Sequence, residues 1–303
     1  MRIGLMAGAT AAAGNGIQAI VDYAKMAEER GFSTIWLANI FGIDAVGACA
    51  IAGWDTSRIE FGTAVTPTYP RHPTALAQQA VTTSVACDGR FTLGIGLSHQ
   101  MVIEDMLGLS YAKPAAHMNE YLQVIAPLLK GEAVDYAGEQ YKVKLALDVP
   151  GAGEVPLIVA ALGPAMLKLA GTYADGTTTW MTGPKTIESH IVPAISSAAS
   201  EAGRAAPRIV CGLPIVVTRD VDAAREQIAK ELAIYGMLPS YRAMLDREGV
   251  AGPAELSIVG DEATVRGEIQ RLRDVGVTDF NAAIIPIEDG SMDATLDLLQ
   301  SEL

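Results

Sequence analysis

Phe91-Thr92-Leu93-Gly94-Ile95-Gly96-Leu97 carries no charge and does not alternate between polar and apolar positions. A strand with one wet face alternates; a strand covered on both faces, as in a parallel sheet flanked by helices, does not. The same character recurs in Ile158-Val159-Ala160-Ala161-Leu162 and in Ala282-Ala283-Ile284-Ile285-Pro286. Working outward from these three, eight strands are predicted: Ile3–Ala7, Ser33–Ala38, Ile59–Thr66, Phe91–Leu97, Val155–Ala161, Thr177–Met181, Arg208–Thr218 and Asp279–Pro286. Helical periodicity fills nearly every interval. Gly14 to Arg30 reads as a helix stopped by Gly31, and Asp44 as the N-cap of a helix to Trp54. Further helices start at Pro73, Pro114, Gly163-Pro164, Thr186, Asp261 and Ser291, and a long one runs from Val221 towards Glu248.

Eight such units in 303 residues fit one (β/α)8 TIM barrel spanning residues 1–303, an α/β fold. An open doubly wound sheet is the alternative topology. Two insertions interrupt the alternation. The one before strand five, Glu132–Glu154, holds a hairpin with Gly138 in its turn; the other, Tyr235–Ser257, lies between strands seven and eight. Long insertions of this kind serve as functional loops or lids, or as packing and dimer contacts.

The chain carries a formal charge of −13 with no run of Lys or Arg, which excludes a basic nucleic-acid face. Three cysteines (Cys49, Cys87, Cys211), far apart in sequence, form neither a disulfide framework nor a CxxC site and read as reduced, cytoplasmic core residues. No apolar run has the length of a membrane span. The start, Arg2 to Ala13, faintly resembles a signal peptide but reads as strand and loop.

In a barrel the reactive surface follows the strands. Those positions here lack paired carboxylates, an HExxH motif and any metal-ligand spacing, so glycoside hydrolysis and a metal site are not expected. Gly94-Ile95-Gly96 fails as GxGxxG because His99 stands where the third glycine belongs. Gly96-Leu97-Ser98-His99-Gln100 nearly matches GxSxG, but Gln100 replaces the last glycine and no histidine follows His190, which argues against a serine hydrolase at Ser98. Gly163-Pro164-Ala165 offers a helix N-terminus with free N–H groups, suited to a phosphate. His72 either faces a ligand or shapes the loop before a helix, and His117 reads as a partly exposed helix residue.

Four segments in this order carry a resemblance: Gly62-Thr63-Ala64-Val65-Thr66-Pro67-Thr68-Tyr69-Pro70-Arg71-His72-Pro73, Asp88-Gly89-Arg90-Phe91-Thr92-Leu93-Gly94-Ile95-Gly96, the hairpin Asp135-Tyr136-Ala137-Gly138-Glu139, and Gly163-Pro164-Ala165-Met166-Leu167 with Ala174-Asp175-Gly176. The chain resembles the bacterial-luciferase-like superfamily and, within it, the branch using the deazaflavin coenzyme F420. The resemblance implies hydride transfer between the cofactor and a small organic substrate, with a reductase favoured. It implies a non-prolyl cis bond at Ala64–Val65 against the ring, and ring contacts from Asn39, Ala64, Val65, Thr66 and Ser98. It implies a phosphate-bearing side chain held by Ala160, Ala161, Leu162, Gly163, Pro164 and Ala165. His99 is the expected proton donor. Sugar-phosphate dehydrogenases of the family place His where this chain has Ile40 and Glu where it has Leu97, so that oxidation is not expected. An FMN-dependent monooxygenase, with His117 near the Arg that such relatives use for phosphate, and a non-catalytic cofactor binder are the alternatives. The resemblance further implies a homodimer. Phe41, Trp180, Met181 and the late insertion are expected to line the substrate pocket, which would suit an apolar or aromatic compound.

Overall fold

The computed structural model describes residues 1–7 and 16–303. The loop expected after the first strand and the helix start expected at Gly14 lie outside these residues. Twelve strands follow in order: β1 Arg2–Ala7, β2 Thr34–Leu37, β3 Glu60–Thr63, β4 Thr66–Pro67, β5 Phe91–Gly96, β6 Val134–Ala137, β7 Lys142–Leu145, β8 Leu157–Ala160, β9 Gly176–Trp180, β10 Arg208–Val217, β11 Ile258–Gly260 and β12 Asp279–Ile284. Eight of them close a parallel barrel in the order β1-β2-β3-β5-β8-β9-β10-β12, with β12 pairing back to β1. The open-sheet alternative is thereby excluded.

Helices cover the outside, among them α1 Gly16–Glu29, α2 Ala45–Trp54, α3 Pro73–Ala86, α4 Pro114–Leu129 and α5 Pro164–Tyr173. Asp44 caps α2 by accepting the Gly47 N–H at 2.7 Å, and Gly31 ends α1 with a φ of 86°. The antiparallel β6–β7 hairpin stands apart from the barrel. Glu120 of α4 holds its turn, accepting N–H groups of Glu139, Gln140 and Tyr141 at 2.9–3.2 Å.

Three boundaries differ from expectation. The third strand breaks into β3 and β4 around Ala64–Val65. The long helix from Val221 is three helices, Val221–Glu231, Ala233–Met237 and Pro239–Glu248. Proline forces the residue before it out of the helical region, and Leu238 is extended (φ −74°, ψ 124°). The late insertion leads into an unpredicted strand, β11, which extends the sheet beside residues 215–217 of β10.

Side-chain alternation sorts each barrel strand into an outer set under the helices and an inner set. Trp36, Ile158 and Val210 form an inner cluster separate from the main core, with Ala64 packed on it. Glycines make room for the indole: a Cβ on Gly62 would lie 2.3 Å from Trp36 Cζ3. The N-terminal end of the barrel is closed by ions. Arg208 bonds Asp279 at 2.7 Å and Glu60 at 3.1 Å, and Arg2 pairs with the same two carboxylates.

Candidate active site at the barrel mouth

The register gives the last inward positions of the strands. Ala64, Gly96, Ala160 and Ala283 are small; Met6, Trp36 and Trp180 are the large exceptions. The result is a basin with a floor of small, uncharged side chains. Its parts are joined directly. Asn39 N–H points to the Val65 carbonyl (3.4 Å), and Ala64 N–H donates to Leu37 O at 2.8 Å. A Cβ on Gly96 would lie 2.6 Å from Val65 Cγ2 and 3.2 Å from Ala160 Cβ, so glycine there lets β4, β5 and β8 meet. The Ala64–Val65 bond is cis.

Asn39 also organises its own loop. Its Oδ1 accepts the Ala45 N–H at 3.0 Å, beside the Arg71–Asp44 ion pair of 2.8 Å. Thr66 is fully buried opposite Ile95, and its hydroxyl has no partner. Ser98 has a φ of 60°, and its carbonyl accepts the Tyr111 hydroxyl at 3.4 Å. Among the described residues no histidine bonds the Ser98 hydroxyl.

His99 is half-buried, and burial pushes its pKa below the ordinary histidine value, so the imidazole is neutral at pH 7. Its ring lies 5.6 Å from Tyr241, which lies 5.1 Å from Tyr235, which lies 5.9 Å from Trp180. This string of rings carries the late insertion from the end of β9 to the end of β5. Glu248 anchors the insertion by accepting N–H groups of Lys185 (3.1 Å) and Thr186 (2.8 Å) and the Thr186 hydroxyl (2.7 Å).

Beyond β8, the loop 160–163 leads into α5. No side chain caps this helix, and its intrahelical pattern leaves the N–H groups of Ala165 and Met166 free. A Cβ on Gly163 would meet nothing within 4 Å, so the space before the helix is open. His190 Nε2 holds the loop through the Leu162 carbonyl at 2.8 Å. A groove of about 440 Å³ between α4 and α5 starts beside Ala165 and carries Lys168 on its wall.

One histidine departs from expectation. His117 is not a partly exposed helix residue but is buried, with Nδ1 3.0 Å from Gln140 Oε1 and Nε2 3.0 Å from the Thr68 hydroxyl. Its ring stacks on Tyr69 at 4.0 Å. Its position four residues before Tyr121, on the buried stripe of α4, is the signal that reveals this. His72 takes the second of its two expected roles, shaping the loop before a helix by capping α3 through the Thr74 N–H. Met181 is fully buried, whereas Phe41 is exposed and Trp180 half-buried. His190, Glu248, Tyr235 and Tyr241 act across long sequence separations and have no local signature.

A parallel barrel with small, uncharged inward side chains at its C-terminal mouth and an open helix N-terminus beside it has the features that suit a planar ligand bearing an anion. The chain belongs to the luciferase-like monooxygenase family, whose profile matches residues 1–279. It is 30% identical over 262 residues to a 5,10-methylenetetrahydromethanopterin reductase of Methanolobus tindarius, covering 86% of this chain and 79% of that one. It is 30% identical over 275 residues to an F420-dependent glucose-6-phosphate dehydrogenase of Nakamurella multipartita, covering 83% and 77%. Among solved structures, the coenzyme F420-dependent tetrahydromethanopterin reductase of Methanopyrus kandleri superposes with a TM-score of 0.80 at 26% identity, covering 100% of this chain and 98% of that one.

Proposed function

We propose that the protein is a coenzyme F420-dependent oxidoreductase that reduces a small organic substrate. The observation that carries this reading is the small-residue floor of Ala64, Gly96, Ala160 and Ala283 bounded by the open start of α5. A planar ring fits the floor, and a phosphate fits the free N–H groups of Ala165 and Met166. Of the relatives named above for F420, the dehydrogenase is 30% identical in sequence, and the reductase of known structure shares the fold at 26% identity. When bound, the reduced deazaflavin supplies a hydride.

The chain's own residues position and protect. Asn39, Ala64, Val65 and Ser98 hold the ring from the β2, β3 and β5 ends; Thr66, whose side chain is buried, contributes through its backbone. Ala160, Ala161, Leu162, Gly163, Pro164 and Ala165 receive the phosphate-bearing side chain. His99, neutral at rest, relays one solvent proton to the substrate as the hydride arrives, giving it from one ring nitrogen while the other takes a proton from water. Orientation with a single proton donor suffices for this chemistry. An FMN phosphate would draw nothing from His117, whose two ring nitrogens are engaged inside the protein.

We also propose one domain, a cytoplasmic location and a homodimer. All three cysteines are buried free thiols. Helix α2 is apolar on its outer face as well, leaving Ile51 52% and Trp54 79% exposed, as a subunit contact requires.

The test is titration of the purified chain with F420 and with FMN, followed by ring fluorescence. Consumption of reduced F420 is then measured over enones, imines and quinones. Binding of FMN alone refutes the proposal, and F420 binding without turnover identifies a carrier. His99→Gln is expected to lower kcat about 10²-fold or more with cofactor affinity unchanged.

A further inference from the structure

Most of the large apolar side chains exposed by the described residues cluster on one face. They lie in the segments that follow the C-terminal ends of β2 and β5 and in the late insertion around residues 232–241, which Tyr241 against His99 and Tyr235 against Trp180 bring to the mouth. Ile40 is 57%, Phe41 62%, Met106 56% and Met237 71% exposed. Scattered surface apolar residues are ordinary, but a cluster around a cleft marks a surface awaiting apolar contact.

The charge pattern of the same segments is as selective. Residues 39–44, 97–110 and 232–241 contain no Lys or Arg, yet include Asp44, Glu104 and Asp105. The nearby Arg71 is already bound to Asp44 at 2.8 Å. Inside the mouth, Tyr235 and Tyr241 stay neutral because burial raises their pKa, and His99 stays neutral because burial lowers its own. A substrate phosphate or carboxylate entering over these three segments would meet carboxylates and exposed apolar side chains, and no Lys or Arg of the segments themselves.

We infer that the substrate is an uncharged, largely apolar carbonyl compound that enters over the rim formed by Phe41, Met106 and Met237 and lies against the Tyr241–Tyr235–Trp180 strip. This rests on the reading of the site as that of a deazaflavin-dependent reductase. It separates the chain from a sugar-phosphate dehydrogenase such as the relative named above, whose substrate is an anion. The reduction adds the hydride of the reduced cofactor to the carbonyl carbon and one proton to the oxygen, giving an alcohol and the oxidised cofactor.

The test uses a matched pair, 1-tetralone and the same ketone bearing a ring carboxylate, with glucose 6-phosphate as a third ligand. Affinities are measured by equilibrium dialysis on the full chain, with and without oxidised F420. Tetralone is expected to bind at least tenfold more tightly than either anion. A Phe41→Glu/Met237→Glu double variant is expected to lose tetralone affinity about tenfold while F420 fluorescence reports unchanged cofactor affinity. Both positions face solvent, so the variant keeps its fold, which circular dichroism checks. Equal or tighter binding of an anion overturns the inference, as does a double variant that binds tetralone like the parent. Failure of F420 to bind refutes the reductase reading separately, because the ligand preference is also measured without cofactor.

Discussion

Gly96→Ala tests whether the floor of the basin is set by packing. The new Cβ would stand 2.6 Å from Val65 Cγ2 and 3.2 Å from Ala160 Cβ, where ordinary contact begins at 3.4 Å. Val65 must therefore move by roughly 1 Å, because close-packed neighbours leave no slack. It sits at the edge of the basin, so the move carries it towards the cofactor ring. Overpacking of this kind costs about 1–3 kcal/mol, a Tm loss of a few degrees for a chain of this size. If the ring sits on Val65, cofactor affinity falls about tenfold, since 1.4 kcal/mol is one decade. The clashing atom belongs to one side chain, which makes the reasoning refutable. Val65→Ala removes Cγ2, and the double variant is expected to regain F420 affinity and most of the stability, with a coupling energy of about 1–2 kcal/mol. Fluorescence titration and thermal melts of the four proteins complete the cycle. Additive losses, or a Gly96→Ala protein that binds F420 like the parent, would show that Val65 and Gly96 do not form the ring's support.

Other expected outcomes follow from the same geometry. Gly163→Asp puts a carboxylate in open space at the start of α5, so helix capping leaves stability unchanged or raises it by a few tenths of a kcal/mol; F420 affinity falls about tenfold or more if the phosphate binds there, a divergence that a melt and a titration read together. Arg208→Met strips Asp279, whose side chain is 3% exposed, of its 2.7 Å partner, and chemical denaturation is expected to show a loss of about 3–5 kcal/mol. The His117 pKa is lowered chiefly by burial, which outweighs the raising effects of Gln140 and Glu120. The unfolded state therefore takes up a proton at higher pH than the native state, so stability is intact above about pH 6.5 and falls as pH drops below it. His117→Gln should flatten that acid limb by at most about 1.4 kcal/mol per pH unit, measured by denaturation at pH 5–7.

All eight barrel strands were legible because a strand buried on both faces writes its state into every residue. Phe91–Gly96 is buried along its whole length, and so are Thr34–Leu37 and Leu157–Val159. Caps were legible for a similar local reason, since Asp44 acts on a residue three positions away. Illegible were the interactions that close over distance. His190 reaches Leu162 across 28 residues, Glu248 reaches Thr186 across 62, and the burial of His117 depends on Thr68, 49 residues away. The split of the third strand was visible only through the resemblance, because nothing in Ala64-Val65 itself distinguishes it from strand.

The absence of charge at the last inward strand positions among the described residues is the least ambiguous feature of the site, and the structure gives it a cause. Inward positions near the mouth are Ala64, Gly96, Ala160 and Ala283, while the ionic residues on the same inward faces (Arg2, Glu60, Arg208 and Asp279) are all at the opposite end. The barrel thus places its charges where they neutralise one another as a plug and clears the mouth. A protein that supplied its own acid and base would hold ionisable pairs at the mouth with opposed environments. This one holds a neutral His99 at the end of a string of three neutral rings, which fits the proposal that hydride comes from a bound group while the chain orients the reactants and passes one proton.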